Sequence, residues 1–270
     1  MSSYIETVPL VLQPLYPDHL SIWEMDPYKT TDAMVKLLLE GGKAIVSPTK
    51  VGYIVMTTDR GGLERKFEMK GRPRSKPGVV LCSNVKQVLA LAQVNAKVEE
   101  LYRRCRDKDI LLGCILPWKE DAAEQFIPND GSIDMVQDGR KTSCFVIKFG
   151  RPSEEIAFSL WHKYRKLCFA SSANPSGQGN RGKLEFVGER IIQSADQLVF
   201  ADDYVARQQP GKDMGTRWEQ GVMVSMVDGE GRLLQDEAPT IIRHGLALDH
   251  IRHELTQVFN FYQDKHGSYH

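Results

Sequence analysis

The sequence predicts a mixed α/β domain, and three observations carry that prediction. Short apolar runs of strand length alternate with segments whose apolar residues recur at helical spacing. The chain has 270 residues at 41% hydrophobic composition, enough to bury a sizeable core, and no stretch reads as a linker that forces two domains. There are no internal repeats or low-complexity tracts.

The elements follow in order. After an irregular start, "TTDAMVKLLLEGG" reads as a helix with capping candidates Thr30 and Thr31 and a glycine stop. The strand "KAIVS", the turn "PTKVG" and the strand "YIVMTT" come next. Leu63, Phe67 and Met69, set among charged residues, suit a short amphipathic helix, and "GVVLC" a buried strand. Helices are expected near 84–92 and 95–106, then the strand "ILLGCIL". Residues 117–140 form a long polar stretch, uncommon inside a compact domain unless functional or mobile, and are expected to act as a lid. The strand "CFVIKF", a helix over about 153–164, the strand "LCFA", the turn "SSANPSG" and a helix near 186–193 follow. The strands "QLVFA" and "VMVSMV", the segment "PTIIRHG" and a helix of about 247–263 close the chain.

Thirty-five basic residues balance thirty-five acidic ones, so no global field draws the chain to nucleic acid or an anionic membrane, and strong direct nucleic-acid binding is not expected. No apolar run approaches the roughly 20 residues that span a bilayer, and the N-terminus lacks a basic stretch followed by an apolar core. A soluble, unexported, cytoplasmic protein is expected. The five cysteines are scattered, without a CxxC pair. They fit reduced core thiols better than a disulfide frame or a zinc site.

Three stretches carry chemistry. "KGRPRSKP", residues 70–77, packs four cations into a stiff turn between a helix and a strand. Read alone it is a solvated surface loop, but held at both ends it directs its cations, which suits an anion. "ASSANPSGQGNRG", residues 170–182, offers short neutral donors and glycines whose backbone N–H groups approach a phosphate closely. Alone it is an ordinary hydrogen-bonded loop. Gly177, Gly179 and Gly182 spell GxGxxG, but a dinucleotide site requires a helix to open at once, and Asn174, Pro175 and Ser176 stand between strand and motif. In "SPTKVGYIV", Thr49, Lys50 and Tyr53 stand where they would line a pocket at the strand ends. His244, His250 and His253 lack a completing metal ligand, and "LYRRCR" reads as the polar face of a helix rather than an RNA contact.

Together the three stretches resemble the YrdC family, whose best-known members are threonylcarbamoyl-AMP synthases. The resemblance rests on Pro48, Thr49 and Tyr53; on Lys70, Arg72, Pro73 and Lys76; on Ser172, Ala173, Asn174, Ser176 and Gly177; and on Arg243 and Gly245 in "IIRHG". It spans about residues 30–246. The fold it implies is a twisted mixed sheet with flanking helices and a concave basic cavity, over residues 29–263, with an N-terminal extension 1–28 and a tail 264–270. The activity it implies is condensation of L-threonine, bicarbonate and ATP, with Mg²⁺, into threonylcarbamoyl-AMP, passed on by partner proteins for tRNA modification. Lys70 and Arg72 would be catalytic. Ser172, Asn174 and Arg243 would join them in binding nucleotide, and Thr49, Lys50, Tyr53 and Lys148 would bind substrate.

The sequence also departs from the family pattern. Lys50 and Val51 stand where an acidic residue and a threonine are usual, Ile54 replaces a glycine, and Lys148 stands in for an arginine. "LPWKEDAAEQ" lies where a tryptophan-proline-glycine segment is expected, and "QGVMV" replaces a late PST motif. These departures fall on the walls that would recognise the amino acid. They keep two alternatives open: a diverged paralogue acting on another amine, and a silent nucleotide- or RNA-binding module.

Overall fold

The computed structural model describes residues 20–71, 73, 77–175, 177–213 and 215–259. It opens with β1 (Leu20–Ile22) and α1 (Pro27–Leu39). The cap of α1 is Asp26, whose carboxylate accepts from the Lys29 N–H at 3.0 Å, with Pro27 at a position where its missing N–H costs nothing. The caps expected at Thr30 and Thr31 are thereby corrected, since Asp26-Pro27 is the stronger start and both threonines lie inside the helix. Residues 20–28, expected in an N-terminal extension, supply β1 and the start of α1. Next come β2 (Ile45–Thr49), β3 (Gly52–Thr57) and α2 (Arg60–Lys70). Asp59 caps α2 by accepting from the Gly62 N–H at 2.9 Å, and Gly71, at φ 57°, ends it in the left-handed turn that glycine adopts without strain.

The chain continues through β4 (Val79–Leu81), α3 (Val85–Leu91), α4 (Ala96–Asp107), β5 (Leu112–Pro117), α5 (Ala122–Phe126) and α6 (Ile133–Val136). Then follow β6 (Thr142–Ile147), α7 (Ser153–Tyr164), β7 (Cys168–Ser172), α8 (Glu189–Ser194) and β8 (Gln197–Phe200). It closes with α9 (Asp202–Gln208), β9 (Val222–Ser225), β10 (Thr240–Arg243) and α10 (Leu248–Phe259).

All ten strands join one sheet in the order β1-β8-β2-β3-β7-β4-β6-β5-β9-β10. Four neighbouring pairs are parallel and five antiparallel, so the mixed α/β sheet is as expected. Register sorts the side chains. Val80, Phe145, Cys114 and Val224 share one row, and their face packs on α3, α4 and α10. Leu81, Val146, Gly113 and Met223 share the adjacent row on the opposite face. There, α1 and α7 cover only the part of the sheet around Ile45, Met56 and Ala170. The remainder of that face, from β3 across to β10, is left concave.

The lid expected over 117–140 is not one. Trp118, Ile127, Met135 and Val136 are buried in the core beside α3 and α4. The indole of Trp118 donates to Ser143 Oγ at 2.8 Å, and that hydroxyl donates to the Val136 carbonyl at 2.6 Å. A few apolar anchors hold this otherwise polar segment. All five cysteines are buried without disulfides, and burial pushes the thiols of Cys144 and Cys168 up to about 12. Among the described residues no helix is long and apolar enough to cross a membrane.

Candidate functional site

The concave face holds a cavity of about 440 Å³. Its floor is apolar, built from Ile54, Val79, Leu81, Val146, Met223 and Ile242 on neighbouring strands. Its polar wall brings together Thr49, Tyr53, Ser172, Asn174, Asn180, Arg217, Gln220 and Arg243. Among the described residues no Asp or Glu lines it. The charged side chains on its surface are the guanidiniums of Arg217 and Arg243, so the cavity is cationic.

Lys70 stands behind this wall. It is the last residue of α2, 4% exposed, and its ammonium donates to the carbonyl of Ser172 and, at 3.3 Å, to the Ser172 hydroxyl. One buried cation thus joins the end of α2 to the end of β7, at the point where Ser172 opens onto the cavity. Asn174 is buried beside it, its amide donating to the Pro175 carbonyl at 2.9 Å. Arg243, at the end of β10, donates from Nε to the Gly221 carbonyl at 2.8 Å. Arg72, Arg74, Lys76 and Ser176 lie outside the described residues.

Thr49 reaches the cavity, but its hydroxyl serves the β2–β3 turn. It donates to the Gly52 carbonyl at 2.6 Å and accepts from the Val51 N–H at 3.2 Å. Tyr53 is fixed from behind by a residue the sequence did not advertise. Its hydroxyl donates to Asp202 Oδ1 at 2.5 Å and accepts from the Ala201 N–H at 3.1 Å, while the Leu184 N–H donates to the same Asp202 oxygen at 2.9 Å. Burial pushes the Asp202 carboxyl up, and the hydrogen bond from Tyr53 opposes that rise.

Lys50 and Lys148, expected to bind substrate, are not among the residues that line this cavity. Both ammoniums lie at 2.7 Å from the carboxylate of Asp109, a residue at φ 54° just after α4. Burial raises the Asp109 carboxyl, yet the hydrogen bonds from Lys148 and Lys50 outweigh it and hold the group below its ordinary value. Lys148 also lines a separate hollow beside α1 and α7, with Tyr28, Glu154 and Phe158. Among the described residues no group of three or more His, Cys, Asp or Glu side chains is placed to hold an ion.

Asn180 ties the stretches together. Its amide nitrogen donates to the Val51 carbonyl, its side-chain oxygen accepts from the Gly182 N–H at 2.8 Å, and its carbonyl accepts from the Trp218 N–H at 3.1 Å. Gly52 must be glycine, at φ 95°, because a Cβ would run into the Asn180 side chain. The GxGxxG glycines all take positive φ, and α8 begins only at Glu189, so no dinucleotide turn is present. Asn180 lay within the quoted loop; Arg217 and Trp218 were missed, although a cation beside a tryptophan in a glycine-rich segment is a signal that could have found them. Asp202 gave no signal.

Comparisons with known proteins agree with this geometry. The family model described as telomere recombination, for Sua5, YciO and YrdC proteins, matches residues 37–210. A hypothetical protein from Streptococcus mutans UA159 is 48% identical, with a TM-score of 0.80 over 87% of this chain and 94% of its own. P. abyssi Sua5 complexed with L-threonine is 21% identical with a TM-score of 0.60; the match covers 84% of this chain and 58% of the Sua5 chain. E. coli YciO is 16% identical with a TM-score of 0.56, over 81% of this chain and 90% of its own. No curated protein matches the chain.

Proposed function

This chain belongs to the Sua5/YciO/YrdC family, and on that premise we propose that it condenses an amine, bicarbonate and ATP into a carbamoyl-adenylate, with L-threonine as the amine and tRNA modification as the pathway. The observation that carries this reading is one cavity, lined by no carboxylate among the described residues, on which Ser172 (held by Lys70), Asn174 and Arg243 converge. P. abyssi Sua5, of the same fold, is complexed with L-threonine.

The chemistry requires such a wall. The amine adds to bicarbonate with loss of water to give a carbamate. A carbamate oxygen then attacks the α-phosphorus of ATP, the α–β phosphoanhydride bond breaks, and pyrophosphate leaves. Every species on this path is anionic, so the chain's work is positioning and charge stabilisation. Lys70, through its hold on Ser172, sets a positive potential behind the hydroxyl that meets the phosphate. Arg72, two residues on, supplies a guanidinium able to bind two oxygens at once. Asn174 and Arg243 hold the remaining phosphate oxygens, and the apolar floor takes the base. Among the described residues the lining offers no carboxylate to grip Mg²⁺, so these residues do not form a metal cage.

The test is pyrophosphate release, with the adenylate identified by mass. Release that requires both bicarbonate and an amine supports the proposal. ATP binding without release would support a silent module instead. A second reading, a paralogue acting on another amine, is favoured by Val51 and Ile54, which line the cavity as apolar side chains. A wall without a hydroxyl partner discriminates weakly among amines. A preference for threonine over serine and valine by roughly 10⁴ or more would overturn that second reading.

A further inference from the structure

Between α9 and β9, residues 215–221 run into "QGVMV", which stands where the late motif is expected, and Arg217, Trp218, Gln220 and Gly221 line the cavity. The connection is pinned in three places. Gln209 is buried; its amide donates to the Lys50 and Glu219 carbonyls, both at 3.1 Å, and accepts from the Glu219 N–H at 2.9 Å. Trp218 is buried, with its N–H on the Asn180 carbonyl and its indole donating to the Asp213 carbonyl at 2.9 Å. Gly182, at φ 75°, lets the indole lie against the 173–182 loop, since a Cβ there would enter the ring. Between these anchors stands Arg217.

Arg217 is exposed and lines the cavity. Its guanidinium Nε lies against Gly179, at 2.8 Å from where a Cβ would stand. Among the described residues no carboxylate pairs with it. Nearby cations differ: Lys212 pairs with Glu219 at 3.3 Å, and Lys50 and Lys148 with Asp109. A guanidinium on a fixed backbone, at a cavity without carboxylates, is arranged for an oxyanion from outside the chain.

We propose that Arg217 is a specificity-determining residue that binds a substrate oxyanion at this cavity. The proposal rests on reading the cavity as the substrate site. The oxyanion comes from one of two sources: the polyphosphate of the nucleotide, or the side-chain carboxylate of an acidic amino acid serving as the amine. In the second case the amine substrate is a dicarboxylate rather than threonine.

Calorimetric titration of the full chain and of Arg217→Ala and Arg217→Lys tests this with ATP, pyrophosphate, L-glutamate, L-aspartate and L-threonine as probes. Loss of a charge-assisted contact weakens binding by roughly 10- to 100-fold. If the nucleotide supplies the oxyanion, ATP and pyrophosphate weaken by that factor in Arg217→Ala, and the amino acids do not. If the amine supplies it, glutamate and aspartate weaken while threonine and pyrophosphate hold. Arg217→Lys retains the charge and falls between. An exposed side chain leaves the fold intact, which unchanged thermal midpoints verify. Unchanged affinity for every probe, or no binding of any probe by the unaltered chain, overturns the proposal. Because the readout is binding, ATP held through Arg217 without pyrophosphate release would overturn the proposed reaction and leave this assignment standing.

Discussion

Lys70 and Asp202 are buried ionisable groups that act on the cavity through other residues, Ser172 and Tyr53. Replacing Lys70 by methionine keeps the aliphatic stem and removes the charge, and should lower pyrophosphate release by about 10² to 10³ with little loss of thermal stability. Arg72→Ala should do the same, and normal turnover in both variants would remove the KxR pair from the site. For Asp202 the folded carboxyl is raised above its ordinary value, so the folded state favours the proton. That contribution is complete at acid pH and is lost as pH rises through the raised value. Asp202→Asn keeps an acceptor for Tyr53 and the Leu184 N–H. It should therefore flatten stability against pH without lowering it at neutrality, whereas Asp202→Ala should cost about 1–3 kcal/mol; melting curves across pH decide. That Lys70, Ser172 and Asn174 would come together at one place could be read from the sequence, because their types and order are local facts. The roles of Asp202 and Asn180 could not, because their partners lie 149 and 129 residues away. Lys50 misled for the same reason: its partner Asp109 is 59 residues off.

Most strands and long helices could be read from periodicity, because each shows one apolar face. The segment 117–140 could not, since four buried anchors are diluted by Asp, Glu, Gly and Asn, and composition alone made it a lid. Packed as it is, hydrogen exchange over α6 and around Trp118 should be slow and unchanged by ATP; slowing on nucleotide addition would restore the lid. β1 and α9 are too short to announce a period. The ring of Trp218 against Gly182 adds a packing contact to the Asn180 hydrogen bonds that hold the 173–182 loop. Gly182→Ala combines a strained φ with a clash and should cost more than about 2 kcal/mol in denaturant unfolding. Stability equal to that of the unaltered chain would show that the strap can shift.

One sheet runs the whole width of the described chain, and its far layer is closed by Glu254 of α10. That buried carboxylate is bound by Arg104 of α4 at 2.6 Å and by Lys108. The apolar clusters all pack on strands of that one sheet, so calorimetry should give a single cooperative transition; two resolved transitions would mean separable lobes. The register of this sheet, which sets cavity beside core, was beyond the sequence because strand order is decided by long-range pairing. The buried thiols have a consequence of their own. Cys168, Cys144 and Cys114 sit on three strands, β7, β6 and β5, with Cys82 just past β4 and Cys105 on α4. A thiol held protonated and out of solvent is silent to alkylating reagents, so each is a clock that starts only when its own neighbourhood parts. The protein carries, in its native composition, a set of chronometers spread across the middle of the sheet, able to report the order in which it comes open.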